Sequence, residues 1–274
     1  MNIDDFLASE DYAKTTRSNY KYILELFTQH ITPSAESPTP AELRTFIESR
    51  NWGNSMSRNA LYAIRQYLEW RFPNHPAQVV KIKRKKPKLQ RSLTVDQILK
   101  LLLSFDTYTL KGARDLAMAA LFIDSGLRLF ELTSLKVSDI NQEQCTLNVV
   151  IKGGNGDQGV YSPETANIIE NWLVKRKEIA KDDSLFINTF NGKGLTREGI
   201  RVIVRYWGDS CGFKISPHDF RRTFTTVTLE NGASTRVVQL GGRWSDPEMV
   251  ERYSRALQQR TIRPYLPIPK VLGY

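Results

Sequence analysis

Five side chains between residues 128 and 253 are of types that can act together on a phosphate group. His218 and Arg221 lie three residues apart, and Arg128 and Glu131 have the same spacing. A spacing of three places two side chains on one face of a helix. Tyr253 is one of 11 tyrosines, each of which carries a phenol oxygen that could be a nucleophile, and residue chemistry alone does not single it out. Breaking a phosphodiester without a metal requires a nucleophile, cationic donors for the non-bridging oxygens and an acid for the departing oxygen.

Two further residues could complete this set. Lys152 lies at the lip of a predicted β-hairpin, directly after its first strand. Trp244 precedes the predicted helix that carries Tyr253, and its indole can donate one hydrogen bond. Each fragment taken singly also fits a structural interpretation, such as a surface pair, an Arg–Glu ion pair or a solvated turn lysine. The order of the fragments therefore matters more than any one of them.

This order resembles the arrangement in the tyrosine recombinase (phage integrase) family. Members have an arginine in a Gly-Leu-Arg turn with glutamate three residues later, a lysine on a hairpin and a His-x-x-Arg segment. A histidine or tryptophan follows, and a tyrosine comes nine residues after it. The matching residues here are Arg128, Glu131, Lys152, His218, Arg221, Trp244 and Tyr253. The resemblance covers nearly the whole chain and is weakest over the first 80 residues.

The chain differs from many members of that family at two positions. Trp244 stands where many have histidine, and an indole can donate a hydrogen bond but cannot take a proton. Arg222 follows Arg221 where a second histidine is frequent. Arg222 lies about 100° round the helix from its neighbour, so we expect it to point away from the phosphate. Neither difference removes a group that the chemistry needs.

The resemblance implies a site-specific DNA recombinase of the integrase, excisionase or resolvase type, working without metal or cofactor. Tyr253 would attack the scissile phosphorus and form a 3′-phosphotyrosine intermediate. Arg128 and Arg221 would hold the non-bridging oxygens. Lys152 would protonate the leaving 5′-oxygen, and His218 would assist the loss of the phenol proton.

The resemblance also implies two supporting roles, and it leaves two alternatives open. Glu131 would be an accessory residue that orients Arg128, and Trp244 would pack beside the phosphate and donate a hydrogen bond. The first alternative is a type IB topoisomerase-like enzyme that relaxes DNA through a similar phosphotyrosine. The second is a DNA-binding regulator that keeps the fold without catalysis, against which the complete residue set argues.

The positive charge is concentrated in one short stretch. The formal net charge is +10, and residues 81–92 contain seven basic residues and no acidic one. Like-charge repulsion and Pro87 keep such a stretch extended, so we interpret it as a DNA-tracking interdomain linker, with a solvated surface loop as the alternative. It separates a predicted core DNA-binding domain, 1–80, from a predicted catalytic domain, 93–274. The predicted DNA-binding residues are Lys81, Lys83, Arg84, Lys85, Lys86, Lys88 and Arg91.

The hydrophobic pattern predicts a mainly α fold of two domains, an N-terminal helical bundle and a mostly helical catalytic domain with a small antiparallel β-sheet. Alternating residues over 145–151, followed by a glycine-rich turn, predict a β-hairpin. The resemblance adds that the two domains form a C-shaped clamp around DNA. Apolar spacings of three and four predict helices over 15–30, 40–50, 55–72, 94–105, 113–124, 163–180, 196–210, 217–231, 234–241 and 246–257.

We expect double-stranded DNA and further copies of the chain as partners, with the resemblance implying a tetramer in the synapse. No apolar run is long enough to span a bilayer, and the first ten residues carry three acids where a leader would be basic. The expected location is therefore the cytoplasm, in association with the nucleoid. Cys145 and Cys211 form no close pair, so neither a disulfide framework nor a zinc site is predicted.

Overall fold

The computed structural model describes residues 2–31, 37–83, 91–150 and 156–254, with side chains described as far as Glu251. Within these residues the chain is mostly helical and has one three-stranded antiparallel sheet, which confirms the predicted fold class. The chain divides into two compact units, Met1–Leu89 and Gln90–Tyr274. The assignment of DNA binding to the first unit and catalysis to the second remains a prediction.

The described part of the first unit is a small helical bundle. Its last three helices begin and end within one residue of the predicted bounds, because their buried faces, which include Ile23, Phe46 and Ile64, follow the helical period. The first helix was not predicted, since seven residues are too few to show a period. The elements are α1 (Ile3–Ser9), α2 (Lys14–His30), α3 (Pro40–Ser49), α4 (Asn54–Arg71) and a 3₁₀ turn (Pro76–Val79).

The described part of the second unit packs helices around a small sheet. A capping box formed by Thr94 and Gln97 starts its first helix. The helices are α5 (Val95–Leu103), α6 (Leu110–Ser125), α7 (Leu129–Ser134), α8 (Pro163–Arg176), α9 (Arg197–Cys211), α10 (Pro217–Glu230), α11 (Thr235–Gly241) and α12 (Pro247–Ser254), with a 3₁₀ turn at Val137–Asp139.

Aromatic stacking between α6 and α10 sets the position of the site. Phe122 and Phe220 are fully buried, and their rings are stacked with centroids 5.3 Å apart and 3° between the planes. Trp207 of α9 meets Phe220 edge-on at 6.2 Å. This core fixes the end of α6 against α10. The residues that follow α6 and those on the first turn of α10 are therefore held close together.

The buried helix α6 carries charged side chains within the core. Asp115 is fully buried, and its carboxylate accepts hydrogen bonds from Arg114 Nε at 2.8 Å and Lys111 Nζ at 3.0 Å. Trp207 Nε1 also donates to this carboxylate at 3.0 Å. A buried carboxylate is tolerated when cations and hydrogen-bond donors surround it.

The sheet contains β1 (Ile140–Asn141), β2 (Thr146–Val150) and β3 (Gly156–Val160) in that order. β2 and β3 pair antiparallel, with Leu147 opposite Gly159, which confirms the predicted hairpin. β1 was not predicted because two residues cannot show alternation. The hairpin tip, residues 151–155, lies outside the described residues, and so does Lys152.

Helix α8 ends four residues before the predicted end at 180. The guanidinium of Arg176, the last residue of the helix, donates to Ser184 O at 2.8 Å and to Asp182 O at 2.5 Å. These contacts fold the following chain back onto the helix end. The sequence pattern could not show this, because the acceptors are main-chain carbonyls.

We predict that Gly126→Ala destabilises the second unit more than Gly212→Ala. Both glycines cap a helix in the left-handed conformation, with φ of 58° and 78°, so each substitution adds about 1–2 kcal/mol of backbone strain. At Gly126 a Cβ would also lie 2.6 Å from the Phe224 ring, whereas nothing lies within 4 Å at Gly212. Chemical denaturation measures both losses; equal losses would mean that the Phe224 contact relaxes without cost.

Candidate active site

The turn after α6 places Arg128 at the start of α7. Gly126 ends α6 with φ 58°, which lets the chain reverse there. Glu131 Oε2 accepts a hydrogen bond from Arg128 N at 2.8 Å, and Oε1 accepts one from Arg128 Nη1 at 2.6 Å. The glutamate side chain is 1% exposed and the arginine side chain 40% exposed. The expected pair is formed, and it leaves the arginine accessible to a ligand.

Arg221 lies on α10, and its guanidinium is held by main-chain carbonyls. Nη1 donates to Gly126 O at 2.5 Å, and Nη2 donates to Gly242 O. The guanidinium carbon lies 3.9 Å from the centre of the Trp244 ring, a cation–π contact. Trp244 in turn stacks on Phe224 at 6.4 Å. The tryptophan therefore lies beside one of the two arginines predicted to bind phosphate.

The turn between α11 and α12 connects both of these arginines. Arg128 Nη2 donates to Arg243 O at 3.0 Å, while Arg221 donates to the preceding carbonyl, that of Gly242. A Cβ on Gly242 would lie 1.5 Å from the Trp244 ring, so only glycine fits there. This turn leads into α12, the helix that carries Tyr253.

One cavity of about 250 Å³ brings several predicted residues together. Arg128, His218 and Arg221 line it, so His218 and Arg221 share a face of α10, as their spacing predicts. Arg201 and Arg205 of α9 also line it. Sequence reasoning missed these two, although their spacing of four on a predicted helix was a visible signal. None of the described residues that line the cavity is acidic, so its walls attract an anion.

The surroundings of His218 favour its neutral form. Desolvation at the cavity wall lowers the pKa of the imidazole, although the residue as a whole is exposed, and the positive charges of Arg222, Arg221 and Arg128 lower it further, against a partial opposing effect of Asp219. Arg222 itself forms an ion pair with Asp219 at 3.0 Å and is not among the cavity residues. A neutral imidazole is able to accept a proton.

Arg243 is a site residue that sequence reasoning missed. Its Nη2 donates to Ser125 O at 3.1 Å and to Glu131 Oε2 at 3.2 Å. Burial acts to raise the pKa of Glu131, but the hydrogen bond from Arg128 N and the charge of Arg243 outweigh it, and the pKa lies below its ordinary value. The available signal was an arginine after two glycines and directly before Trp244.

Tyr253 lies on α12, which packs against α10, α11 and the turn that joins α11 to α12. Val250 of α12 is fully buried, in a cluster with Leu229, Val238 and Trp244. The side chain of Tyr253 lies outside the described part of the structure. Its approach to the arginines is therefore a prediction.

The predicted DNA-binding linker is described only at its ends. Lys81, Lys83 and Arg91 are exposed to solvent. The remaining predicted linker residues lie outside the described residues; they are Arg84, Lys85, Lys86 and Lys88.

The described ranges contain no candidate metal centre and no helix suited to span a membrane. There, no group of three or more His, Cys, Asp or Glu side chains could hold a metal ion. None of the helices found there is long and apolar enough to cross a membrane. Both cysteines are free thiols.

The model of the phage integrase family matches residues 91–260, which is more than half of the sequence. The chain belongs to the phage integrase family. The tyrosine recombinase XerD of Listeria innocua is 28% identical to this integrase-family chain over 261 residues, covering 86% of the chain and 88% of the relative. The tyrosine recombinase XerA of Pyrococcus horikoshii is 28% identical over 242 residues, covering 85% and 80%.

Solved structures of integrases share the fold. The Tn1549 transposon integrase in complex with transposon right end DNA matches with a TM-score of 0.74 and 15% identity, covering 100% of both chains. A lambda integrase tetramer bound to a Holliday junction matches with a TM-score of 0.69 and 19% identity, covering 92% of this chain and 74% of that one.

The family match confirms the resemblance and decides the class of activity. This integrase-family chain is a tyrosine recombinase, an enzyme of site-specific DNA recombination, as its curated relatives are named. The comparisons support this activity over topoisomerase-like relaxation and over a non-catalytic regulator. The roles of individual residues remain predictions.

We predict that the His218 imidazole titrates below its ordinary pKa. Burial and the neighbouring arginines disfavour the proton in the folded state, so folding stability falls as the pH drops below the unfolded-state pKa of about 6.5. NMR titration of the imidazole signals, assigned with His218→Gln, measures the shift. A pKa at or above the ordinary value would contradict the effect of the neighbouring arginines described here.

Proposed function

We propose that this recombinase cuts and rejoins DNA through a covalent bond between a 3′-phosphate and Tyr253. The observation that carries the proposal is the cavity lined by Arg128, His218 and Arg221, with both arginines bonded to carbonyls of the turn that leads into the tyrosine helix. A cationic cavity next to a helix that bears a phenol suits phosphoryl transfer without a metal.

The reaction is a balanced exchange of one phosphodiester for another. Tyr253 Oη forms a bond to the scissile phosphorus, and the bond from phosphorus to the 5′-oxygen breaks. The phenol gives up its proton, and the 5′-oxygen gains one. Attack by the 5′-hydroxyl of a partner strand reverses the step and releases the tyrosine. No ATP is needed, because no phosphodiester is lost.

Arg128 and Arg221 would bind the non-bridging oxygens and stabilise the charge of the pentacoordinate transition state. Their contacts with Gly126 O, Gly242 O and Arg243 O fix the guanidinium planes before DNA arrives. Donors positioned in advance lower a barrier more than donors that must reorganise. Glu131 orients the first arginine, and Trp244 packs against the second and would donate its indole hydrogen bond to the phosphate.

Proton transfer would fall to His218 and Lys152. The lowered pKa of His218 leaves it neutral at pH 7 and able to accept the proton of Tyr253. Lys152, on the hairpin tip, is our candidate to protonate the leaving 5′-oxygen. Trp244 cannot take this part, because an indole has no proton-accepting nitrogen.

We further propose that the substrate is double-stranded DNA and that four copies of the chain assemble on two duplexes. Similar proteins support this: the Tn1549 integrase structure contains transposon DNA, and the lambda integrase structure is a tetramer on a Holliday junction. The first unit would bind the core site, and residues 81–92 would follow the phosphates between the units. Such a protein acts in the cytoplasm, at the nucleoid.

Covalent capture of DNA on the protein tests whether Tyr253 is the nucleophile and identifies the target DNA sequence in the same experiment. The protein is denatured inside cells, the attached DNA is sequenced, and the linked peptide is identified by mass spectrometry. We expect a recurring DNA sequence joined to Tyr253. Tyr253→Phe should still bind that DNA but form no adduct, while Tyr206→Phe, at an exposed tyrosine of α9, should form it normally.

Each other outcome of the capture has a definite meaning. An adduct on another residue would reassign the nucleophile. Adducts without a recurring sequence, together with relaxation of any plasmid, would favour the topoisomerase alternative. DNA binding without any adduct would favour the regulator.

Arg205→Gln should weaken DNA binding through charge rather than through folding. Arg205 is exposed and lines the cavity, whereas Arg201 already forms an ion pair with Glu198 at 2.9 Å. Loss of one phosphate contact makes the slope of the logarithm of the binding constant against the logarithm of the salt concentration less steep by about 1. Binding isotherms over a range of salt measure it, with Lys193→Gln, at an exposed lysine outside the cavity, as control. Equal slopes for the two variants would exclude a phosphate contact by Arg205.

A further inference from the structure

Arg243 is a long cationic residue at a backbone position that favours glycine. Its φ is 55°, and it directly follows Gly241 and Gly242. Residues other than glycine hold this conformation only where surrounding contacts enforce it. The side chain is 1% exposed. A buried guanidinium at a strained position indicates a role that a glycine could not fill.

The guanidinium joins four segments of the second unit. Nη2 donates to Ser125 O at the end of α6 and to Glu131 Oε2 on α7. Nη1 donates to Gly241 O at the end of α11, at 3.0 Å. β3 passes close by, since a Cβ on Gly159 would lie 3.1 Å from Arg243 Nη1. Because β3 is the second strand of the hairpin that carries Lys152, this guanidinium also lies against that hairpin.

Glu131 is shared between two guanidinium groups. Its Oε1 accepts from Arg128 Nη1 at 2.6 Å, and its Oε2 accepts from Arg243 Nη2 at 3.2 Å. One carboxylate against two cations leaves one net positive charge beside the cavity. Without Arg243, the carboxylate would neutralise Arg128 alone, and the pair would attract a phosphate less strongly.

The backbone of the same turn supplies acceptors to both predicted phosphate-binding arginines. Arg128 donates to the carbonyl of Arg243, and Arg221 donates to that of Gly242. The side chain of Arg243 anchors this turn to α6 and α7. A displacement of the turn would therefore move both acceptors and the start of α12 together.

We propose that Arg243 is a positioning residue for strand cleavage, whose guanidinium fastens the turn before the Tyr253 helix to Glu131. The fastened turn holds Arg128 and Arg221 in place around the scissile phosphate. Arg243 touches no reacting atom and acts through Glu131 and through the carbonyls of its turn. The inference rests on the proposed function for its effect on cleavage, but the coupling to Glu131 can be measured without DNA.

The coupling has a pH signature. Among the described residues, the charged groups that face Glu131 are Arg128, at the start of its own helix, and Arg243, from the turn; the surrounding burial opposes both. Loss of Arg243 raises the pKa of Glu131. A protonated Glu131 could no longer hold Arg128 by a charged pair, so cleavage by such a variant fails at a higher pH than cleavage by the wild type.

The first measurement is a double-mutant cycle on the full chain without DNA. The free energy of unfolding is measured between about pH 4 and pH 8 for the wild type, Arg243→Gly, Glu131→Gln and the double variant. Glycine removes the side chain and relieves the φ strain. The stability gap between wild type and Arg243→Gly should be widest at neutral pH and should narrow as the pH falls. In the Glu131→Gln background the gap should not change with pH; additive effects at every pH would overturn the proposal.

The second measurement is the rate of adduct formation on the DNA recovered by covalent capture. The Arg243→Gly variant should form the adduct about tenfold more slowly than the wild type, or slower still. The acid limb of its pH–rate profile should move to higher pH. Arg243→Lys restores the charge and should return the limb towards the wild-type position. Arg114→Gln removes a buried arginine that pairs with Asp115 at 2.6 Å, and it should reduce stability without moving the profile.

If the Arg243→Gly variant forms the adduct more slowly but keeps the wild-type pH–rate profile, the role of Arg243 is merely structural and the proposal is overturned. Absence of an adduct in the wild type would instead refute the proposed function. In that case the unfolding cycle would still decide whether Arg243 and Glu131 are coupled.

Discussion

Four arginines and one histidine lie around a single cavity, and charges of one sign at such short range repel one another unless the fold opposes that repulsion. The fold opposes it in two ways. Glu131 is buried between Arg128 and Arg243 and is shared by both. Main-chain carbonyls at the end of α6 and in the turn before α12 accept hydrogen bonds from the guanidinium groups. The excess charge that remains is what a phosphate would neutralise.

The same repulsion explains the state of His218. A further cation beside these arginines would be costly, so desolvation and the nearby guanidinium groups lower the pKa of the imidazole. The site can therefore concentrate fixed positive charge on guanidinium groups, which do not lose their protons, while it keeps one neutral base. In the proposed function, binding of an anion and acceptance of a proton would thus fall to different side chains within one cavity.

Backbone conformation and charge are linked in this site. Gly126 and Arg243 both have positive φ. The carbonyl of Gly126 accepts a hydrogen bond from Arg221, and the carbonyl of Arg243 accepts one from Arg128. Gly242 has no room for a side chain because the Trp244 ring fills that space. The site is thus built at the ends of packed helices. The positions of its side chains therefore depend on the stacking of Phe122 of α6 on Phe220 of α10 in the core.

The sequence by itself determined the properties that depend on near neighbours along the chain. Helical periods located α2, α3 and α4, alternation located the β2–β3 hairpin, and a spacing of three put His218 and Arg221 on one face. It missed α1 and β1, which are too short to show a period, and the early end of α8, which depends on Arg176 binding main-chain carbonyls of the segment that follows the helix. The ordered residue types were also enough to indicate the family, because each type restricts the available chemistry.

Only the tertiary structure decided which cations share the cavity and how they are held. Arg201 and Arg205 line the cavity, and their spacing of four shows only that they share a face of α9. Arg243 binds Glu131 behind it. No local spacing encodes the contacts that join these residues to α7 and α10. Packing of α6 on α10, together with a left-handed residue beside Trp244, brings them together. Such contacts depend on how the whole core closes, whereas periodicity reports only which face of each element is buried.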